Sequence, residues 1–353
     1  MRAILFYQRE EMDEGLALAE TAGYEVVEHR PTPRRPNPNY YISESMLQEV
    51  KEKGVEALLV FAQTRPRQLM NLSRELMGIK VLDKVLLLLE VFDLHAGSAE
   101  AKMQIELASL KYRLPILRDY FTRAKAGEQQ GPLGAGTYGV EAAIKLYSRR
   151  MVKLKRKLEE MREAQRATIL KRREMGLPQV AIVGYTNAGK TSLFNRLTGG
   201  SQKVDSSMFT TISPKRTAVE LGNRKALLID TVGFIRGIPP QIVEAFHVTL
   251  SEAALADVEL LVVDSAMGER RMIESLTGSL SVFRDIGISG KPLIVALNKA
   301  DKLNPPEARR LREVALKETK RIYSPVVDVV PVSAANGTNL GVLIDTLSKI
   351  VSG

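Results

Sequence analysis

The chain has 353 residues, 44% hydrophobic and 26% charged, a balance ordinary for a globular protein with room for two domains. It contains no cysteine, which excludes a disulfide framework, a Cys-based zinc site and a thiol nucleophile. A net charge of +10 points to a polyanionic partner, and no apolar run approaches the ~20 residues of a membrane span. The first eight residues carry no secretory pattern and read as a strand, so the expected compartment is the cytoplasm.

Over residues 1–96 strand and helix patterns alternate. Ala3–Tyr7, Tyr24–Glu28, Val55–Phe61 and Lys84–Glu90 read as short buried strands. Asp13–Ala22, Ser43–Lys53 and Gln68–Met77 read as helices, with Ser43 as a start signal and Gly54 as a stop. Four prolines from Pro31 to Pro38 require a loop. This predicts a small N-terminal α/β domain over 1–97 with a mostly parallel sheet.

From Ser98 to Leu114 the pattern is helical, with Met103, Leu107, Leu110 and Leu114 on one face, and Pro115 kinks or ends the run. The five glycines from Gly127 to Gly139 exclude a stable helix there. Ile144, Tyr147, Met151, Leu154, Leu158 and Met161 then recur at steps of three and four. Two long helices joined by a Gly-rich tip predict an antiparallel helical hairpin over 98–176, with this stripe as its seam. Residues 145–173 carry twelve Lys/Arg against three Glu, nearly the whole net charge. Such a run is either a phosphate-contacting face or a solvated helix face.

Gly176-Leu-Pro178 opens a second α/β domain over 177–353. Gly184-Tyr-Thr-Asn-Ala-Gly-Lys190-Thr191 fits G-x-x-x-x-G-K-[ST], between a strand-like Gln179–Val183 and a helix-like Ser192–Leu197. The backbone of Gly184, Asn187, Ala188 and Gly189, with Ser192 at the helix start, cradles phosphates. Lys190 charges the β/γ-phosphates, and Thr191 ligates Mg²⁺. Asp230-Thr-Val-Gly233 ends the strand Ala226–Ile229, placing Asp230 for Mg²⁺ and the Gly233 N–H for a γ-phosphate. Phe209-Thr-Thr-Ile-Ser-Pro214 supplies a further Mg²⁺ hydroxyl, with Thr211 preferred and Thr210 as competitor. Asn298-Lys-Ala-Asp301 follows the strand Pro292–Leu297. The Asp301 carboxylate accepts from guanine N1–H and its 2-amino group, a pair that adenine lacks. Asn298 contacts the base N7 or ties its loop to the phosphate loop, and the Lys299 stem covers the base. Ser333-Ala334, after the strand Val326–Val332, completes the base pocket through a backbone N–H.

These motifs, in this order, resemble the translation-factor-like class of P-loop GTPases. With Lys102-Met-Gln-Ile-Glu-Leu-Ala108, Tyr112-Arg-Leu-Pro115 and Phe234-Ile after the glycine, the chain is similar to the HflX family of the Obg–HflX group. The resemblance implies a cytoplasmic GTPase using Mg²⁺, with GTP and GDP as ligands. It also implies binding to the large ribosomal subunit and its rRNA, with the basic hairpin as the contact; bacterial relatives split ribosomes. The glycine segment departs from the family's R-G-P-G-E-T-Q-L-E, reading Gly131-Pro-Leu-Gly-Ala-Gly-Thr-Tyr-Gly-Val-Glu141.

Phe234 stands where many GTPases place a water-orienting Gln, which predicts slow intrinsic hydrolysis completed by a group from the ribosome or from elsewhere in the chain. The alternative is that Phe234 anchors its segment in an apolar pocket. Asn187 stands where some related GTPases coordinate K⁺; the alternative is a turn-stabilising Asn. A competing reading of the whole is an RNA- or ribosome-binding switch in which GTP occupancy, not turnover, carries the function. No dimerisation element is evident, so a monomer is expected.

Overall fold

The computed structural model describes residues 1–353 except 10, 97, 126–135, 175, 176, 201–214, 223, 232, 235–252 and 353. The described chain divides into two compact units, Met1–Met161 and Arg162–Ile238 with Phe246–Gly353.

In the first unit β1 (Arg2–Tyr7), β2 (Glu25–Pro31), β3 (Ala57–Phe61) and β4 (Lys80–Asp83) form a parallel sheet in the order β2-β1-β3-β4. Helices α1 (Met12–Thr21), α2 (Glu44–Glu52) and α3 (Pro66–Glu75) connect the strands. The Ser43 hydroxyl caps α2 by accepting from the Met46 N–H at 3.2 Å, and Gly54 beyond it has a left-handed φ of +59°.

Lys84–Glu90, expected as a strand, is the start of helix α4 (Lys84–His95), and the strand lies just before it at Lys80–Asp83. Val85 and Leu86 to Leu89 are all buried, so the first turns of the helix show no polar face and their sequence mimics a buried strand; Asp93 is exposed only further along. Leucine favours helix, and the Asp83 carboxylate fixes the start by accepting from the Leu86 N–H at 3.0 Å. The same buried carboxylate accepts from the Thr64 hydroxyl at 2.9 Å and from the Tyr112 hydroxyl.

Helix α5 (Ala99–Lys125) runs through Pro115 without ending. Of the expected face Leu114 is buried and Met103, Leu107 and Leu110 are half-buried; Ala101, Gln104, Ile105 and Ala108, a step round, are buried as well, because the helix packs on α3 and α4. Helix α6 (Gly136–Glu174) lies antiparallel to it: Arg150 bonds Glu106 through two N–H groups at 2.6 and 2.9 Å, and Tyr147 shares a cavity wall with Arg113. Of the expected seam, Leu154 and Leu158 are fully buried and Ile144, Tyr147, Met151 and Met161 are half-buried. Gly127, Gly131 and Gly134 lie outside the described residues, but the expectation of no helix up to Gly139 is corrected at its end: α6 already begins at Gly136 and includes Gly139, since a helix tolerates glycine at about 1 kcal/mol each where the rest of a long run favours it.

The second unit holds β5 (Gln179–Val183), β6 (Lys215–Leu221), β7 (Arg224–Asp230), β8 (Val258–Asp264), β9 (Leu293–Asn298) and β10 (Val326–Pro331) in the order β10-β9-β8-β5-β7-β6. All neighbours are parallel except β6 with β7, an antiparallel hairpin with no counterpart in the sequence reading. Among the described residues of this unit are helices α7 (Lys190–Thr198), α8 (Glu269–Asp285), α9 (Pro305–Ile322) and α10 (Leu340–Ser352). Strands β5 and β9 are buried at every position, as a sheet covered on both faces requires. Ligands of such sheets sit at the carboxyl ends of the strands, where the sequence motifs lie.

Candidate functional site

Register brings the site together. Ile182 on β5 pairs with Asp230 at the end of β7, and Asp264 on β8 pairs with Asn298 at the end of β9.

Gly184 leaves β5 with a φ of +141°, and a Cβ there would sit 2.2 Å from the Val262 carbonyl oxygen, so only glycine lets the loop lie on β8. Asn187 turns it with a left-handed φ of +62°, which suits asparagine. Helix α7 then starts without a side-chain cap, and its N-terminal dipole and first-turn amides suit an anion. The Lys190 ammonium is buried inside this loop and donates to the Tyr185 carbonyl at 2.8 Å. Burial pushes its pKa down to about 8, against the opposing pull of Asp230; phosphate oxygens would restore its charge.

The Thr191 hydroxyl donates to Asp230 Oδ2 at 2.9 Å, with both residues buried. Two hard oxygen donors at this spacing beside a phosphate cradle fit Mg²⁺. A Cβ on Gly233 would fall 2.7 Å from Lys190 Nζ and 2.8 Å from Thr186 Cγ2, so glycine is what lets this loop lie over the phosphate loop. Phe234 clamps the two loops: its N–H donates to the Gly184 carbonyl at 2.9 Å and its carbonyl accepts from the Thr186 N–H at 2.8 Å. Its ring is buried edge-on between Tyr185 and Phe283. Thr210 and Thr211 lie outside the described residues.

At the end of β9 the Asn298 amide is used twice. Its Nδ2 donates to the Ala188 carbonyl and its Oδ1 accepts from the Ala334 N–H, both at 2.9 Å. Of the two roles open to Asn298, the geometry displays the tie to the phosphate loop. Lys299 has a left-handed φ of +64° and its ammonium lies 2.7 Å from Asp264 Oδ2. Asp301 accepts from the Ser333 hydroxyl at 2.5 Å. In the loop that follows β10 the Ser333 N–H donates to the Thr338 carbonyl at 3.1 Å and the Ala334 N–H to Asn298 Oδ1 at 2.9 Å.

Three supporting residues escaped the sequence reading. Asp264 holds Lys299, and a strand ending in Asp was a signal that could have found it. The Ser265 hydroxyl donates to the Asn298 carbonyl at 2.7 Å. The Arg196 guanidinium, on α7, donates to the carbonyls of Ala334 and Ala335. Nothing in the spacing of Arg196 announces that reach.

Three sequence profiles match in chain order: "GTP-binding GTPase N-terminal" over residues 9–93, "GTP-binding GTPase Middle Region" over 95–173, and "50S ribosome-binding GTPase" over 179–299. A GTPase HflX of Saccharolobus solfataricus is 52% identical over 351 residues, 99% of this chain and 98% of that one. The GTPase HflX of Chlamydia pneumoniae is 33% identical, covering 97% and 72%. A crystal structure of a GTP-binding protein from Sulfolobus solfataricus in complex with GDP is similar, at 44% identity, 99% and 98% coverage and a TM-score of 0.59. Among the described residues no helix is long and apolar enough to cross a membrane. Full-length identity to named relatives, together with a phosphate loop, D-x-x-G loop and N-K-x-D loop brought to one sheet edge, makes this chain a member of the HflX family of GTPases.

Proposed function

We propose that the protein binds the large ribosomal subunit through α6, hydrolyses GTP slowly by itself and is stimulated on the ribosome. The observation that carries the binding reading is the basic face. Arg149, Lys153 and Lys157 are exposed on one side of α6, whereas Arg150 is committed to Glu106. Phosphate backbone is the matching partner for such a row, and the profile matched by residues 179–299 describes a 50S ribosome-binding GTPase. Within this reading residues 1–97, 98–176 and 177–353 are an N-terminal α/β subdomain, a helical hairpin with a Gly-rich tip and the GTPase domain of a cytoplasmic monomer.

In the nucleotide site Asp301 reads guanine while Asn298 and Ala334 brace its loop. Gly184, Asn187, Ala188, Gly189 and Ser192 line the phosphate cradle, and Lys190 holds the β/γ-phosphates. Thr191 and Asp230 hold Mg²⁺, joined by Thr211. The metal neutralises charge on the β- and γ-phosphate oxygens when bound. Gly233 offers its N–H to the γ-phosphate. Phe234, with no hydrogen-bonding side-chain group and its ring buried, does not orient water, which supports a low intrinsic rate. Asn187 provides a K⁺ ligand beside the β/γ-phosphates.

The test is GTP hydrolysis with and without purified large subunits at low salt, in K⁺ and in Na⁺. Stimulation by subunits is expected, with a higher rate in K⁺. Tight binding with no stimulation would favour a switch working by occupancy, and equal rates in the two salts would remove the K⁺ role.

A further inference from the structure

Strand β8 ends on a residue whose two side-chain oxygens do separate work. Asp264 Oδ1 accepts from the Ala266 N–H at 2.9 Å and so starts the short turn Ser265–Met267. Asp264 Oδ2 faces the neighbouring strand, where the Lys299 ammonium stands 2.7 Å away. The reach follows from register: Asp264 pairs with Asn298, so the residue after Asn298 lies within the span of a lysine side chain. Next in the chain, the buried Ser265 hydroxyl donates to the Asn298 carbonyl at 2.7 Å. Asp264 and Ser265, where the chain leaves β8, thus grip Lys299 and Asn298, where it leaves β9.

Lys299 is the place where the chain bends. Its φ of +64° lies in the left-handed region, which residues other than glycine rarely adopt. The bend leads from β9 into the short turn Ala300–Lys302, which carries Asp301. Backbone bonds close the turn itself: the Ala300 N–H donates to the Val332 carbonyl at 3.0 Å and the Lys302 N–H to the Lys299 carbonyl at 3.1 Å. Asp264 is what holds the side chain at the bend.

This ion pair is sheltered. The Lys299 side chain is three-quarters buried and that of Asp264 more so. Taking such a pair out of water costs about as much as the attraction returns, so net stability is a poor account of it, whereas removing one partner is felt strongly.

We infer that Asp264 is a positioning residue for guanine selectivity: through its pair with Lys299 it fixes the bend that aims the Asp301 carboxylate at the base. The inference rests on Asp301 as the base reader. Asp264 itself touches no nucleotide. A carboxylate that accepts from two adjacent donors, N1–H and the 2-amino group, must be aligned with both, so a small rotation of the Ala300–Lys302 turn weakens two bonds together. Hypoxanthine, with N1–H and no 2-amino group, loses less from the same rotation.

The test measures the affinity of the full chain for GDP and for inosine diphosphate by titration calorimetry, without ribosomes. Asp264→Asn keeps Oδ1 for the Ala266 N–H and replaces the oxygen facing Lys299 by an amide. It is expected to weaken GDP about tenfold and inosine diphosphate about threefold, so the preference for GDP narrows. Lys299→Met keeps an unbranched apolar stem, removes the ammonium and is expected to show the same narrowing. Because both changes break one pair, adding Asp264→Asn to Lys299→Met should cost less than about twofold more. A role confined to packing or to capping the Ser265–Met267 turn weakens both nucleotides alike and needs no lysine. Losses that multiply in the double variant, or an unchanged preference in Asp264→Asn, would therefore overturn the inference. If Asp264→Asn does not fold, Lys299→Met decides alone, and an unchanged preference there overturns it equally. Asp301→Asn keeps the two readings apart. Undiminished GDP affinity in that variant removes the base reader and the inference with it, whereas a weakened Asp301→Asn beside a wild-type Asp264→Asn removes the inference alone.

Discussion

Asn298 Nδ2 donates to the Ala188 carbonyl at 2.9 Å, which makes the loop after β9 and the phosphate loop one braced unit. A Cβ on Gly189 would stand 2.2 Å from the same Nδ2, so the contact has no room to slip. Removing it leaves the Ala188 carbonyl and the Ala334 N–H without their partner inside the protein. Asn298→Ala is expected to weaken GTP and GDP alike, by about 2 kcal/mol, or some thirtyfold in Kd. Isothermal titration with both nucleotides checks this, and loss of GTP affinity alone would count against the brace.

Asp301 Oδ1 accepts from the Ser333 hydroxyl, and in the proposed nucleotide site its carboxylate also accepts from the base. Asp301→Asn replaces an acceptor by a donor at that position. The variant should lose at least about a hundredfold in GTP affinity and gain affinity for XTP, whose 2-oxo group accepts. Competition between the two triphosphates reads out the exchange.

On α6 the triple change of Arg149, Lys153 and Lys157 to Glu is expected to abolish large-subunit binding at physiological salt. Changing only Arg149 and Lys153 to Ala should reduce the slope of log affinity against log salt by about 1.5. Arg150→Ala acts differently. It breaks the pair with Glu106 inside the first unit and changes ribosome affinity less than either neighbour. Pelleting with large subunits across a salt series separates these cases.

The Glu259 carboxyl lies well above the usual carboxylate range, because it is fully buried without hydrogen bonds and Lys291 offsets only part of that cost. Its folded pKa exceeds its unfolded value, so between the two the native state binds the extra proton. That contribution to stability is fully present below the unfolded pKa near 4.5 and is lost as pH rises through the folded one. Glu259→Gln should flatten this decline, and its stability relative to wild type should grow with pH above 4.5. Urea midpoints of the two proteins, followed from about the unfolded pKa upward into the alkaline range, test it; parallel curves would mean that Glu259 does not titrate there.

Phe234 fills a buried gap between Tyr185 and Phe283, so Phe234→Ala is expected to destabilise the second unit by about 3 to 4 kcal/mol. Thermal unfolding of the nucleotide-free protein measures it, and a loss under about 1 kcal/mol would mean that the ring is not a packing anchor.

The phosphate loop was legible because local chemistry dictates it: Gly184 and Gly189 hold backbone angles that other residues resist, and strand β5 and helix α7 flank them in sequence. The N-K-x-D loop was legible as a motif, but the partners of Ser333 and Ala334 were not. Those bonds depend on Asn298 and Thr338 arriving through the fold. Helix α4 was misread because burial on every side erases the periodicity that distinguishes helix from strand. The stripe on α5 was drawn too narrow: Leu114 is buried as expected, but α3 and α4 also cover Ala101, Gln104, Ile105 and Ala108. The rings packed around Phe234 were invisible for a related reason. Tyr185, Phe234 and Phe283 are scattered along the chain and meet only once the strand order is set.

The final helix, α10, sits far along the chain from the phosphate loop yet underpins the hairpin that follows residues 201–214. Leu343, Leu347 and Val351 enter the core beneath β6 and β7. The Ser348 hydroxyl donates to the Leu221 carbonyl, the Arg224 guanidinium donates to the Val351 carbonyl, and a Cβ on Gly222 would collide with Ser348 at 2.3 Å. The hairpin is thus bolted down at its turn. Anyone trimming or tagging the carboxyl end would be working on the support of the β6–β7 hairpin.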